Sequence, residues 1–238
     1  MRLRLVENIK QISLVFSRGF FFETIPHFQL FLRSELTKMN GFEIFPFISF
    51  LALITLISGR IFFLKRKVIN VGSESGKKNQ SGIFVYSIFL LILLLWLFEL
   101  TKFAFHFSIS VLPEVLAKPL NQSDLLKITG VLVTGFALVL LTFTLIHFKN
   151  SLRFGLDEKN RGKLITTGVF AFSRNPFFLS LDIYFVGIAI LLPNLFFIGF
   201  AVFALVGIHF FILKEEKFMQ NVYGAEYLEY MRKVHRYI

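Results

Sequence analysis

The 238-residue chain is 55% hydrophobic and 17% charged, with 34 Phe and a mean hydropathy of +0.68, which excludes an ordinary soluble domain. Its net charge of +11 sits in short segments flanking apolar runs, a pattern of membrane topology rather than of nucleic-acid binding. The absence of cysteine removes disulfide and thiol chemistry but leaves the compartment open.

Residues 1–41 form an N-terminal segment in which Ile12 to Leu32 is apolar yet carries Arg18, Glu23 and His27. This pattern predicts an interfacial amphipathic helix, and no small-residue cleavage site follows it to make a signal peptide. If it crossed instead, the chain would have six spans with its N-terminus inside.

Residues 42–148 hold three predicted spans, Phe42 to Leu64, Ile83 to Phe107 and Ile128 to Phe148, each long enough to satisfy its own backbone as a helix across lipid. The connector from Gly72 to Gly82 is polar and flexible in composition, with no predicted chemistry. Near the end of the second span, Glu99, Lys102 and His106 follow helical spacing, which predicts an intrahelical Glu99–Lys102 pair.

Residues 149–238 carry most of the polar groups able to do chemistry. The loop after the third span leads through Thr166-Thr167-Gly168, a turn, to Arg174-Asn175-Pro176, where Pro176 suits the first turn of a helix and Asn175 its N-cap. The positive end of that helix, with Arg174 beside it, is available to an anionic group. Phe177 to Leu192 and Leu195 to Leu213 are two further apolar arms of 16 and 19 residues, joined by Pro193-Asn194. Together they make a membrane hairpin that returns Glu215-Glu216 to the face where Arg174 lies. An arginine and two carboxylates gathered there can hold a small zwitterion. Asp182, with no partner in its own helix, is predicted to face the bundle or a hydrated cavity, either lining a site or bonding another span. Gly224 predicts a helix stop, and Glu226, Tyr227 and Tyr230 predict a second, amphipathic helix that could cap the pocket from the water side.

With five spans, sixteen Lys and Arg, including Lys65, Arg153, Lys163, Arg174, Lys214 and Arg236, fall on the side of these clusters, and nine fall on the other. The cluster side and the C-terminus are therefore predicted to be cytoplasmic. The expected fold is all-α, a polytopic transmembrane helix bundle of about five spans with a C-terminal helical hairpin and interfacial helices.

The run Leu164-Ile165-Thr166-Thr167-Gly168-Val169-Phe170, with Arg174-Asn175-Pro176, the apolar hairpin, Glu215-Glu216 and Tyr223-Gly224-x-Glu226-Tyr227-x-x-Tyr230, resembles the isoprenylcysteine carboxyl methyltransferase family and the related phospholipid methyltransferases. The likeness spans about residues 149–236. It implies a membrane enzyme that binds S-adenosylmethionine between the last spans and the cytosolic loops and methylates a lipophilic acceptor, with membrane lipids as neighbours and neither metal nor nucleic acid as partner. By position, the resemblance implies that Leu164, Ile165, Phe170, Asn175, Pro176, Phe178 and Glu215 line the cofactor site. Arg174 and Glu216 are adjacent members suited to the methionine carboxylate and to ammonium or ribose hydroxyls. Arg153, Lys163 and Asp182 are candidates for orienting the acceptor. No glycine-rich nucleotide loop is present, which sets the chain apart from Rossmann-type methyltransferases.

The chain departs from the family pattern at four places. Asn175 replaces the common His, Phe178 a Tyr, and Ser180 a Gly, while His209 to Leu213 replaces a turn that carries a substrate-associated arginine in eukaryotic enzymes. The acceptor thus stays open between a prenyl carboxylate, a phospholipid amine and another lipid. Two other readings are a nicotinamide-dependent membrane reductase of the steroid-reductase type and a membrane scaffold or carrier. Glu215-Glu216 speaks against the first, and retention of Arg174, Pro176 and both glutamates speaks against the second.

Overall fold

The computed structural model describes residues 41–66, 80–120, 123–148 and 164–238. The segment 12–32, the connector 72–82, and Arg153 and Lys163 lie outside the described residues. Within them the structure is helical, without strands: α1 (Gly41–Arg66), α2 (Gln80–Phe105), α3 (Glu114–Ala117), α4 (Asp124–His147), a 3₁₀ turn (Gly168–Ala171), α5 (Pro176–Leu191), α6 (Leu195–Tyr223) and α7 (Ala225–Lys233). Helices α1 over Gly41–Phe63, α4 and α6 are each long and apolar enough to cross a membrane, and α5 is a shorter apolar helix. The fold is the expected all-α membrane bundle.

Local chemistry sets several boundaries. The Ser123 hydroxyl caps α4 by accepting from the Leu126 amide, and the Asn194 side chain caps α6 by accepting from the Phe197 amide at 2.8 Å. Nothing in Lys214 to Tyr223 breaks a helix, so α6 runs on past the predicted apolar limit at Leu213 to Gly224. That glycine ends it with φ +55 and ψ −124, a conformation that disfavours any side chain. Gly168 likewise has a positive φ of 67, and a Cβ there would run into the His147 ring. Helix α2 stops at Phe105, and His106, at φ 54, leaves the helical path to reach Glu43 of α1 at 3.4 Å. Glu99 and Lys102 form the predicted pair at 3.5 Å.

The core is aromatic. Trp96 of α2, 1% exposed, is surrounded by the rings of Phe50, Tyr184, Phe185, Phe197 and Phe200. These rings come from α1, α5 and α6, so one core crosses the boundary between residues 42–148 and 149–238. Tyr184 adds a polar tie, its hydroxyl 3.1 Å from Ser49 Oγ, which also donates to the Pro46 carbonyl. Helices α4 and α5 pack backbone to backbone: a Cβ on Gly130 would lie 2.6 Å from Leu191, and one on Gly187 would strike Thr134. Small residues at such crossings let membrane helices approach closely, where dispersion drives their association. At the far end of the hairpin, Leu120 donates its amide to the Pro193 carbonyl at 2.7 Å, anchoring the α2–α4 connection to the α5–α6 turn.

Candidate functional site

Pro176 occupies the first turn of α5 and Asn175 its N-cap, as expected, but the Asn175 side chain does not cap the helix. Its Nδ2 donates instead to Glu216 Oε1 at 3.1 Å and to the Arg236 carbonyl at 3.2 Å. The hairpin thus delivers Glu216 to the positive end of α5, where a carboxylate is favoured by the helix dipole.

Glu216, 3% exposed, is the centre of the cluster. Its Oε1 accepts from Arg174 Nε at 3.1 Å and Nη2 at 2.9 Å, and its Oε2 accepts from Arg236 Nε at 3.0 Å and Nη2 at 2.8 Å. One buried carboxylate therefore sits between two guanidinium groups, and the pairing raises the Arg236 pKa further. Arg174 is also engaged elsewhere, with Nη1 donating to the carbonyls of Met231 and Val234 at 3.1 and 3.0 Å. Its backbone amide donates to the His235 carbonyl. Arg174 and Glu216 are accordingly turned toward each other, and Arg174 holds the C-terminal segment.

Glu215, one residue earlier on α6, does not join this cluster. Its Oε2 is buried with no hydrogen-bond partner among the described groups. A buried carboxylate oxygen left unpaired is costly, and an ammonium or a hydroxyl placed opposite it would remove that cost. Of the two glutamates, Glu215 is thus the one free to receive a ligand.

Helix α7 packs against the end of α6 and the 3₁₀ turn. Tyr227, Tyr230 and Val234 form a small core with Leu164, Met219, Tyr223 and Met231 packed on it. The Tyr230 hydroxyl donates to the Phe170 carbonyl at 2.6 Å, and burial pushes this phenol up to about 12, so it stays a donor throughout the physiological range. Burial, with the Glu216 charge, raises the Tyr227 phenol as well. Phe170 is buried against Phe148, Phe178 meets Phe177 and Phe211, and Ile165 is half-buried beside Leu164. Leu164, Ile165 and Phe170 therefore lie next to the α7 core, while Phe178 faces the α6 wall.

Asp182 lies deeper in the hairpin and lines a groove with His209 and Tyr237. His209 and Tyr237, like Arg236, were not singled out by sequence reasoning. Arg236 counted only toward topology, and the signal that could have raised it was a second basic residue within reach of a two-carboxylate motif. Among the described residues no cluster of three His, Cys, Asp or Glu has metal-binding geometry.

No curated protein matches the sequence. Residues 126–226 match the family model for phospholipid methyltransferase. The matched stretch holds most of α4, the 3₁₀ turn, α5 and α6, and so includes Arg174, Asn175, Glu215 and Glu216, whereas Arg236 and Tyr237 lie beyond it. That match covers less than half of the chain, and over it the sequence is similar to the phospholipid methyltransferase family.

Proposed function

We propose that the protein transfers a methyl group from S-adenosylmethionine to a lipophilic acceptor at the cytosolic face of the membrane. The observation that carries this reading is the buried, unpartnered Glu215 Oε2, beside the Arg174–Glu216–Arg236 cluster and within the stretch matched by the methyltransferase family. An S-adenosylmethionine molecule offers what Glu215 lacks, an ammonium group and ribose hydroxyls that can donate to a carboxylate. Leu164, Ile165, Phe170, Asn175, Pro176 and Phe178 would frame the same site. When bound, the cofactor supplies an electrophilic methyl on a sulfonium sulfur.

The protein's own work is then positional. Glu216, neutralised by two guanidiniums, fixes the N-terminus of α5 to α6 and to the C-terminal segment, so the site keeps its shape when Glu215 takes a cation. Tyr227 and Tyr230 on α7 cover the site from water, which favours a displacement whose charges are dispersed as the bond to sulfur breaks. The apolar walls of α4, α5 and α6 admit an acceptor from the bilayer side. Arg153 and Lys163, outside the described residues, are candidates for meeting lipid headgroups.

The test is binding of S-adenosylhomocysteine against NADPH to the detergent-purified protein, read by calorimetry and thermal shift. Saturable binding of the first alone is expected. Binding of NADPH alone would overturn the reading in favour of a reductase.

A further inference from the structure

A groove of about 810 Å³ opens between α4, α5, α6 and the C-terminal segment. Most of its wall is apolar, with Val133, Val186 and Leu205 among the lining side chains, and its polar groups are Asp182, His209 and Tyr237. His209 Nδ1 lies 2.7 Å from the Tyr237 hydroxyl, with the two rings stacked. Burial and the nearby Asp182 hold that phenol above its ordinary pKa.

Asp182 is 9% exposed, and its Oδ1 is buried with no hydrogen-bond partner among the described groups. Among the described residues no Lys or Arg lines the groove to neutralise it. Counted from Pro176 at the helix start, Asp182 lies about 9 Å further along α5, at 1.5 Å per residue, and Tyr237, which lines the groove with it, follows Arg236 of the Glu216 cluster. A carboxylate at this depth is tolerated when it faces a cation or a hydrated cavity. The groove therefore presents a hydrocarbon wall with one unneutralised negative charge, and its best-matched occupant is a hydrocarbon tail ending in a positive charge.

Resting on the methyltransferase reading above, we propose that this groove is the acceptor site, that the acceptor is a long-chain amine with no phosphate beside its nitrogen, and that Asp182 pairs with the ammonium and takes its proton. A carboxylate acceptor would meet Asp182 with like charge. A phospholipid amine would bring a phosphate into a wall that has no cation among the described residues. In the reaction, one proton passes from the ammonium to Asp182 and frees the nitrogen lone pair. That pair forms the nitrogen–carbon bond to the methyl of the sulfonium donor, while the carbon–sulfur bond breaks and leaves its electrons on sulfur. The product is the N-methylated ammonium, and Asp182 returns its proton to water. His209 and Tyr237 are positioning residues that hold the polar end of the groove in place.

The experiment is calorimetric titration of the full chain in detergent with dodecylamine, dodecanoate and phosphatidylethanolamine, each corrected for uptake by empty micelles, with S-adenosylhomocysteine binding measured on the same samples. Expected is saturable binding of dodecylamine, at least tenfold tighter than either of the others. D182N should weaken amine binding at least tenfold, and Val186→Trp, which fills the groove, should abolish it, both with S-adenosylhomocysteine affinity unchanged. Equal amine binding by wild type and both variants, or preference for dodecanoate or phosphatidylethanolamine, overturns the proposal while the methyltransferase reading stands. Failure of the wild type to bind S-adenosylhomocysteine overturns that reading, and the proposal with it.

Discussion

Arg174 and Glu216 stand 42 positions apart in the chain and meet at 2.9 Å, with both side chains less than a tenth exposed. The pair joins the start of α5 to the polar extension of α6 beyond Leu213, and Arg236 completes it from the C-terminal segment at 2.8 Å. Removing Arg174 leaves Glu216 to Arg236 alone and takes the donor from the Met231 and Val234 carbonyls, and a buried acceptor left unpaired costs about 1–3 kcal/mol. Arg174→Ala should therefore lower thermal stability sharply and weaken cofactor binding through loss of fold. Replacing both residues together, as Arg174→Met with Glu216→Leu, should restore much of the stability. A thermal-unfolding series on the purified protein checks this, and a stable Arg174→Ala variant would contradict the structural role.

Glu215 makes the opposite prediction. Its buried oxygen has no partner to lose among the described residues, so Glu215→Gln should leave the melting temperature unchanged or raised, because an unpaired buried carboxylate is itself destabilising. Affinity for S-adenosylhomocysteine should fall at least tenfold, since a charge-assisted bond to the cofactor is replaced by a neutral one. Calorimetry separates the two glutamates: adjacent in sequence, one should act on folding and the other on binding. Unaltered affinity in Glu215→Gln would remove this residue from the cofactor site.

The convergence of Arg174 with the Glu pair was legible because the 38 almost entirely apolar residues between Pro176 and Glu215 form two membrane arms, and a hairpin returns its ends to one face. Asp182 was legible for a related reason, as an ionisable group within an apolar arm must face something polar. Which glutamate pairs with Arg174 was not, because residues 215 and 216 lie about 100° apart on the helix and the rotation of α6 is set by packing around Trp96. Arg236 and Tyr237 escaped notice because the segment after α7 has no periodicity. Its position depends on backbone bonds from Arg174 and on Ser173 and Asn175 reaching the Arg236 carbonyl. The halt of α2 at Phe105 and the turn of His106 toward Glu43 are likewise products of tertiary contact.

Tyr230 tests whether α7 is a fixed cover. Its hydroxyl is the donor to the Phe170 carbonyl across 60 positions of chain. Tyr230→Phe keeps the ring and deletes the donor, which leaves a buried carbonyl unpaired at about 1–3 kcal/mol. Hydrogen exchange should then rise in residues 225–233 and in the 3₁₀ turn while the core around Trp96 stays protected. Loss of protection throughout the bundle would show that α7 is not a separable cover.

The contact between α4 and α5 sets how the hairpin sits on the rest of the bundle. At Gly187 an added Cβ would strike Thr134, including its backbone nitrogen at 2.8 Å, so the two helices must separate to admit any side chain. Overpacking of this kind costs about 1–3 kcal/mol, and Gly187→Leu should reach the upper end because neither backbone can move without disturbing the other. The shift would also move Asp182, five residues earlier on α5, relative to Val133 across the groove. Gly187→Leu should consequently lower the melting temperature and reduce acceptor binding more than cofactor binding, since Arg174, Asn175 and Glu216 remain tied together at the other end of the helix. Paired titrations with S-adenosylhomocysteine and dodecylamine measure that asymmetry, and equal loss of both would mean that the crossing positions the whole hairpin as one body.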